Sequence, residues 1–186
     1  MQNREAIKVF LSYSWTSTSH RDFVLTLAER LMEDGVHVIL DIWDLNEGDD
    51  KYAFMEKMVT DETISRVLII SDKKYAEKAD KKKGGVGTES QIISSEVYAK
   101  AKQSKFIPIV AEFEAGVPCL PAFLKSRIFI DLSDQEKYYS EYEKIVRHIY
   151  DKPLHKKPNL GTAPLYIIED KPVHIKTTYK FQTLKD

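Results

Sequence analysis

The sequence predicts a doubly wound α/β domain, a parallel sheet covered by helices on both faces. Short runs rich in β-branched and aromatic residues alternate with amphipathic helical patterns between residues 7 and 150. Those runs are apolar throughout rather than alternating with polar residues, as strands buried on both faces are. A length of 186 residues accommodates one such domain plus an extension.

Ile7 to Tyr13 (IKVFLSY) reads as a central strand that stops at a Ser/Thr cluster. Thr18 or Ser19 can cap the helix that follows, with Asp22 in its first turn, Phe23, Val24, Leu27, Ala28 and Leu31 on one face, and Gly35 as its stop. Val36–Leu40 reads as a strand, 52–62 as a shorter helix and Val67–Ile70 as a strand. Residues 89–102 read as a helix and 106–110 as a strand. Pro108, Pro118 and Pro121 break up the stretch between the strand at 106–110 and the short run Ile128–Ile130, so a loop or one distorted helix is expected there. Tyr138, Tyr142, Ile145, Val146 and Ile149 restore a helical pattern over 134–150, which Pro153 ends. The α/β domain is therefore 1–151.

Residues 152–163 (KPLHKKPNLGTA) carry two Pro, one Gly and three Lys and read as a linker. Beyond it, 165–168 and 173–181 are strand-like around a turn at 169–172, which makes 164–186 a hairpin-like extension. A lone hairpin is marginal in water, so this extension needs a docking surface, a partner or further chain.

Charge and composition narrow the function classes. With 28 Lys+Arg against 29 Asp+Glu there is no global basic field, and direct nucleic-acid capture is not expected. Cys119, the single cysteine, permits no intramolecular disulfide and no Cys-based zinc cluster, which suits a reducing compartment, the cytoplasm being the expectation. No apolar run reaches the ~20 residues of a membrane-spanning helix.

Several motifs carry two readings each. Lys81–Gly87 (KKKGGVG) before a helical pattern can bring backbone N–H groups to a phosphate, yet matches neither GxGxxG nor GxxxxGK[ST], so a solvated loop is the simpler reading. Glu96 sits beside apolar helical positions at the border of a cleft, or is an exposed acid paired with Lys100 at i+4. The acidic loop 41–50 follows a strand end, where open α/β sheets place ligands; its acids suit a magnesium ion or, more simply, caps and solvated turns. Trp43 within it needs something to pack on, core or partner. The histidines show no metal-ligand spacing, and no metal site is expected.

VFLSYSW at 9–15, LMEDGVHVILDIWDLNEGD at 31–49, VLIISDKKYAEKADKKKGGVGTESQIISSEVY at 67–98 and KFIPIV at 105–110 together resemble the SEFIR branch of the Toll/interleukin-1 receptor (TIR) superfamily, especially its bacterial members. The resemblance spans about residues 7–150 and implies a flavodoxin-like sheet. Many bacterial and plant TIR domains cleave NAD between nicotinamide and ribose, while others only assemble with their own kind. By this resemblance Glu96, in SSEVY, matches the catalytic glutamate. The turn Ser12-Tyr13-Ser14 matches the wall that contacts substrate, and the 43–49 loop, with Trp43 and Asp44, matches the segment that closes the site and makes subunit contacts. Ile92 stands in the substrate-binding wall four residues before Glu96, where many enzymatic relatives have Trp.

The resemblance thus implies an NAD-cleaving effector activated by self-assembly through 43–49, in bacterial defence against phage, with NAD as substrate, no resident cofactor and no membrane. The extension either pairs at an edge or connects to a sensor. The alternative is a homotypic interaction module without chemistry, and Ile92 in place of Trp is the feature that favours it. A phosphate-binding flavodoxin-like regulator is a third, distant reading.

Overall fold

The structure is a computed structural model that describes residues 6–81 and 92–169. The chain divides into two units, Met1–Leu154 and His155–Asp186, so the boundary falls inside the expected linker.

The first unit is built on five parallel strands: β1 (Lys8–Tyr13), β2 (His37–Ile39), β3 (Ile64–Ser71), β4 (Phe106–Val110) and β7 (Ile130–Asp131). Their order is β2-β1-β3-β4-β7, which places the reversal of strand order beside β1, with Tyr13 opposite Ile70 and Ser71 opposite Val110. Successive side chains of β1 face opposite layers. Val9, Leu11 and Tyr13 pack with Val24, Leu27 and Leu31 of α1 (Thr18–Glu33) and with Ile145 of α6 (Tyr138–Ile149). Phe10 faces the other layer, with Met55 of α3 (Lys51–Thr60), Tyr75 of α4 (Lys73–Lys81) and Val97 of α5 (Ser95–Ala99). Pro108 is accommodated inside β4, opposite Ile69, with both neighbours buried.

Local chemistry sets the helix ends. Ser17, one residue before the expected caps, accepts the His20 N–H at 3.1 Å and starts α1; Asp22 consequently falls beyond the first turn. Gly35 terminates it at φ +83°, with its N–H on the Met32 carbonyl. Asp50 accepts the N–H groups of Tyr52 and Ala53 and opens α3. Lys105 closes the same helix: its Nζ donates to the carbonyls of Met58, Val59 and Asp61, and burial lowers its pKa.

Four sequence expectations change. The acidic stretch after β2 contains a one-turn helix, α2 (Asp41–Asp44), because the Asp44 carboxylate reaches back to the Leu40 N–H. Residues 73–81, unassigned from the sequence, form α4, capped by Asp72, which accepts the Tyr75 N–H at 2.7 Å. Ile92 to Ser94 are not helical, and α5 starts only at Ser95 because the Ser94 hydroxyl accepts the Val97 N–H; residues 89–91 of the expected helix lie outside the described residues. Between β4 and β7 the chain makes a small antiparallel hairpin, β5 (Phe113–Glu114) and β6 (Val117–Pro118), turned through Ala115 and Gly116 at φ +48° and +79°, and then a 3-10 turn at Ala122–Leu124.

In the second unit, Leu165–Ile168 is one helical turn, α7, not a strand. Pro164 precedes it, and the Pro164 carbonyl accepts from the N–H groups of Ile167 and Ile168, so local bonds close a helical turn. The rest of the expected hairpin, 173–181, lies outside the described residues.

Candidate functional site

The carboxyl ends of β1 and β3 meet at the switch in strand order, where open α/β sheets form crevices. Here the two strands are joined by a buried polar network. Ser12 Oγ and the Tyr75 hydroxyl are 2.8 Å apart, and that hydroxyl accepts the Ile93 N–H at 3.1 Å. Burial pushes the Tyr75 phenol up to about 12, so it stays a neutral hydroxyl that accepts from the Ile93 N–H and shares a hydrogen bond with Ser12. Ser14 donates to Asp72 Oδ1 at 2.7 Å and Thr16 donates to Asp72 Oδ2 at 2.6 Å, which brings the two hydroxyls against each other. One tyrosine thus ties the end of β1 to the segment that leads into α5.

A second cluster lies toward β2. The Trp15 indole N–H donates to Asp41 Oδ2 at 3.0 Å, and the Lys51 ammonium stands 5.3 Å from the Trp15 ring centre. Burial raises the Asp41 pKa, opposed by contacts with Tyr13 and Trp15, and burial followed by the Asp41 charge holds the Tyr13 phenol far above its ordinary value. The Tyr13 hydroxyl nevertheless makes no well-formed hydrogen bond among the described residues.

The sequence-expected residues divide between these settings. Ser12, Tyr13 and Ser14 are buried, and Ser12 and Ser14 serve internal bonds rather than facing an open cleft. Ile92, expected in the substrate wall, is 1% exposed and belongs to the core beside Phe10 and Tyr75, because an aliphatic side chain there gains more from burial than from solvent. Asp44 is exposed, with one oxygen on Leu40 N–H. Trp43 is 43% exposed, so it packs on neither core wholly nor solvent, and Trp15 and Ile42 are similarly exposed beside Asp41. Glu96 is exposed in the first turn of α5, and no hydrogen bond or ion pair joins it to another described residue; Lys100, its expected i+4 partner, is paired with Glu56 of α3 instead. The structure therefore places Ser12, Tyr13, Ser14, Trp43 and Asp44 at the ends of β1 and β2, and among the described residues the Tyr75 hydroxyl links Ser12 to Ile93, three residues before Glu96.

Asp72, Tyr75 and Asp41 were the residues that sequence reasoning undervalued. The available signal was position: Asp72 directly follows an apolar strand and precedes a helix, which is where a capping acid belongs.

A cleft of 620 Å³ opens over the α1 and α6 layer, lined among others by Thr16, His20, Asp72, Glu112 and Tyr138. Glu96 is not among its lining residues. Among the described residues no three His, Cys, Asp or Glu side chains are grouped to hold a metal ion, and no helix is long and apolar enough to cross a membrane.

Fold and switch-point geometry define a flavodoxin-like α/β domain of the TIR type. Residues 7–148 match the SEFIR domain family, and the chain belongs to that family. It is 43% identical to a prokaryotic SEFIR domain of known crystal structure, over 84% of this chain and 100% of that one, with a TM-score of 0.72. The fold is also that of the TIR domain of the Toll-related receptor TRR-2 from Hydra magnipapillata, at 16% identity over 76% of this chain and 97% of that one, TM-score 0.56. No curated protein matches the chain.

Proposed function

We propose that this SEFIR domain cleaves NAD between nicotinamide and ribose, with Glu96 stabilising the ribosyl cation, and that a second copy of the chain completes the site. The observation that supports this most is the setting of Glu96, an exposed carboxylate that forms no hydrogen bond or ion pair with a described residue and lies two positions after the buried residues 92–94; the resemblance to enzymatic TIR domains implies a catalytic glutamate there. An anion that stabilises developing charge acts strongly only where water is excluded, and an exposed carboxylate gains such a setting when another surface covers it. Trp15, Ile42 and Trp43 are exposed apolar groups of the kind that anchor such contacts.

The chemistry asks little more. The electron pair of the breaking C–N bond neutralises the pyridinium, so nicotinamide leaves without a general acid, and the cation left at the ribose is trapped by water, releasing a proton, or by an adenine nitrogen. NAD is the substrate, and no resident cofactor or metal is assigned. NAD depletion in the cytoplasm of an infected bacterium is the corresponding biological role, and a sensor would act through the C-terminal extension.

A purely homotypic interaction module is the second reading. It is favoured by the burial of Ile92 and the internal bonds of Ser12 and Ser14.

Free nicotinamide is followed after mixing NAD with the protein at high concentration. Sustained release is expected, falling at least ~10²-fold in Glu96→Gln while folding stability stays within about 1 kcal/mol. Equal release by the variant overturns the role of Glu96, and no release under assembling conditions favours the second reading.

A further inference from the structure

The 620 Å³ cleft has no part in the proposed NAD chemistry, yet it has the size of a small-molecule site, ~300–1,000 Å³. It lies at the carboxyl ends of the strands, reached by Thr16 after β1, Asp72 after β3, Glu112 after β4 and Ser133 after β7. Its charge has one sign. Asp72 and Glu112 line it, and no Lys or Arg does.

Neither acid forms an ion pair with a described cation, although the Lys73 ammonium lies near enough to Glu112 to interact with its charge. Asp72 is 4% exposed and accepts only from neutral donors, the Ser14 and Thr16 hydroxyls and the Tyr75 N–H. Glu112 accepts the Lys73 backbone N–H through Oε2, while the Lys73 ammonium is paired with Glu114. Lys137, next to the cleft residue Tyr138, is paired with Asp134. The amino ends of α1, α4 and α6 border the cleft with about half a positive charge each, which the two carboxylates still outweigh. His20 adds no charge at neutral pH, because burial lowers its pKa from 6.5. Its Nε2 is buried with no partner among the described residues. Tyr138, Tyr139 and Phe23 supply ring surface on the same wall.

We propose that this cleft binds a compact organic cation bearing a planar ring, its ammonium facing Glu112 and Asp72 and its ring against Tyr138 and Tyr139. The negative charges of exposed Glu112 and buried Asp72 attract the ammonium, and tyrosine faces attract both the ring and the cation. The site is separate from Glu96, and its test does not involve NAD cleavage.

Three probes share one ring and differ in charge: benzylammonium, benzyl alcohol and benzoate. Each is titrated into the full chain at constant ionic strength, with calorimetry for affinity and amide NMR shifts for location. Saturable binding of benzylammonium is expected below about 10 mM, with shifts at His20, Ala111, Leu132 and Tyr138. Benzyl alcohol should bind at least ~5-fold more weakly and benzoate not at all. Glu112→Gln keeps an acceptor for the Lys73 N–H and should weaken benzylammonium ~5-fold. Tyr139, 73% exposed, can be changed to Ala without unfolding and should weaken it as well. Equal binding of the three probes, no binding of benzylammonium at 10-fold higher concentration, or shifts confined to another surface overturns the proposal. The wild-type comparison decides alone if Glu112→Gln does not fold.

Discussion

Tyr75→Phe isolates the hydroxyl that joins β1 to α5. The ring is fully buried and Phe fills its volume, so no cavity term enters. The loss is confined to two bonds, with Ser12 Oγ at 2.8 Å and from the Ile93 N–H at 3.1 Å. A buried N–H deprived of its acceptor costs about 1–3 kcal/mol, whereas Ser12, which has a further interaction, should add only about 0.5–1 kcal/mol. The expected destabilisation is therefore about 1.5–4 kcal/mol, read as a lower urea midpoint at unchanged slope. Ile93 and Ser94 set the start of α5, so loosening them should also misplace Glu96 and lower nicotinamide release by more than the unfolded fraction explains. Ser12→Ala removes the other end of the same bond, and the double variant should show a coupling of about 0.5–1.5 kcal/mol. A Tyr75→Phe protein within about 0.5 kcal/mol of wild type, or strict additivity with Ser12→Ala, would refute the reasoning.

If a second copy completes the site as proposed, NAD-cleaving activity should rise more than proportionally with protein concentration, and Trp43→Ala should remove that rise. Because Trp43 is 43% exposed, it should cost under about 2 kcal/mol, against ~3–5 for a core tryptophan; a larger loss in urea titration places its main role in packing. Gly35→Ala combines φ +83° with a Cβ only 3.1 Å from the Tyr150 hydroxyl, which itself donates to the Asp34 carbonyl; thermal melts should show a loss of about 1–2 kcal/mol. Burial lowers the His20 pKa, so the unfolded chain binds its proton more readily. The resulting stability is complete above the unfolded value of 6.5 and declines as pH falls from there toward the lower folded value. The drop in urea midpoint between about pH 7.5 and about pH 5.5 should be smaller in His20→Gln than in wild type, and an equal drop would count against this role for His20.

Much of the architecture was legible before any coordinates. Apolar runs such as Val67–Ile70 and Phe106–Val110, set between helical patterns, read as strands buried on both faces, and the alternation of helices between them selects a parallel sheet. The helical faces of α1 and α6 were equally plain, because a period of 3.6 places Val24, Leu27 and Leu31, or Tyr142, Ile145 and Ile149, on one stripe. The family follows from motifs in register over the same span. α4 escaped notice because only Tyr75 and Ala79 of its residues are buried and its lysines mask the stripe. Leu165–Ile168 misled because a four-residue apolar run does not distinguish strand from helix, and the preceding proline was given too little weight.

What the sequence determined by itself is the class of fold and the position of Glu96 on a helix after the third strand, since both depend on local periodicity and motif order. The tertiary structure alone decided which polar groups answer one another. Ser12 meets Tyr75 across 63 residues, Ser14 meets Asp72 across 58, and Trp15 meets Asp41 across 26. No local pattern encodes such pairs, because they arise only when parallel strands distant in sequence bring their carboxyl ends to one edge. Once there, a buried polar group must find a partner or lose the hydrogen bonds that water supplied, and this is why the expected wall residues Ser12 and Ser14 hold the domain together while Glu96 remains at the surface.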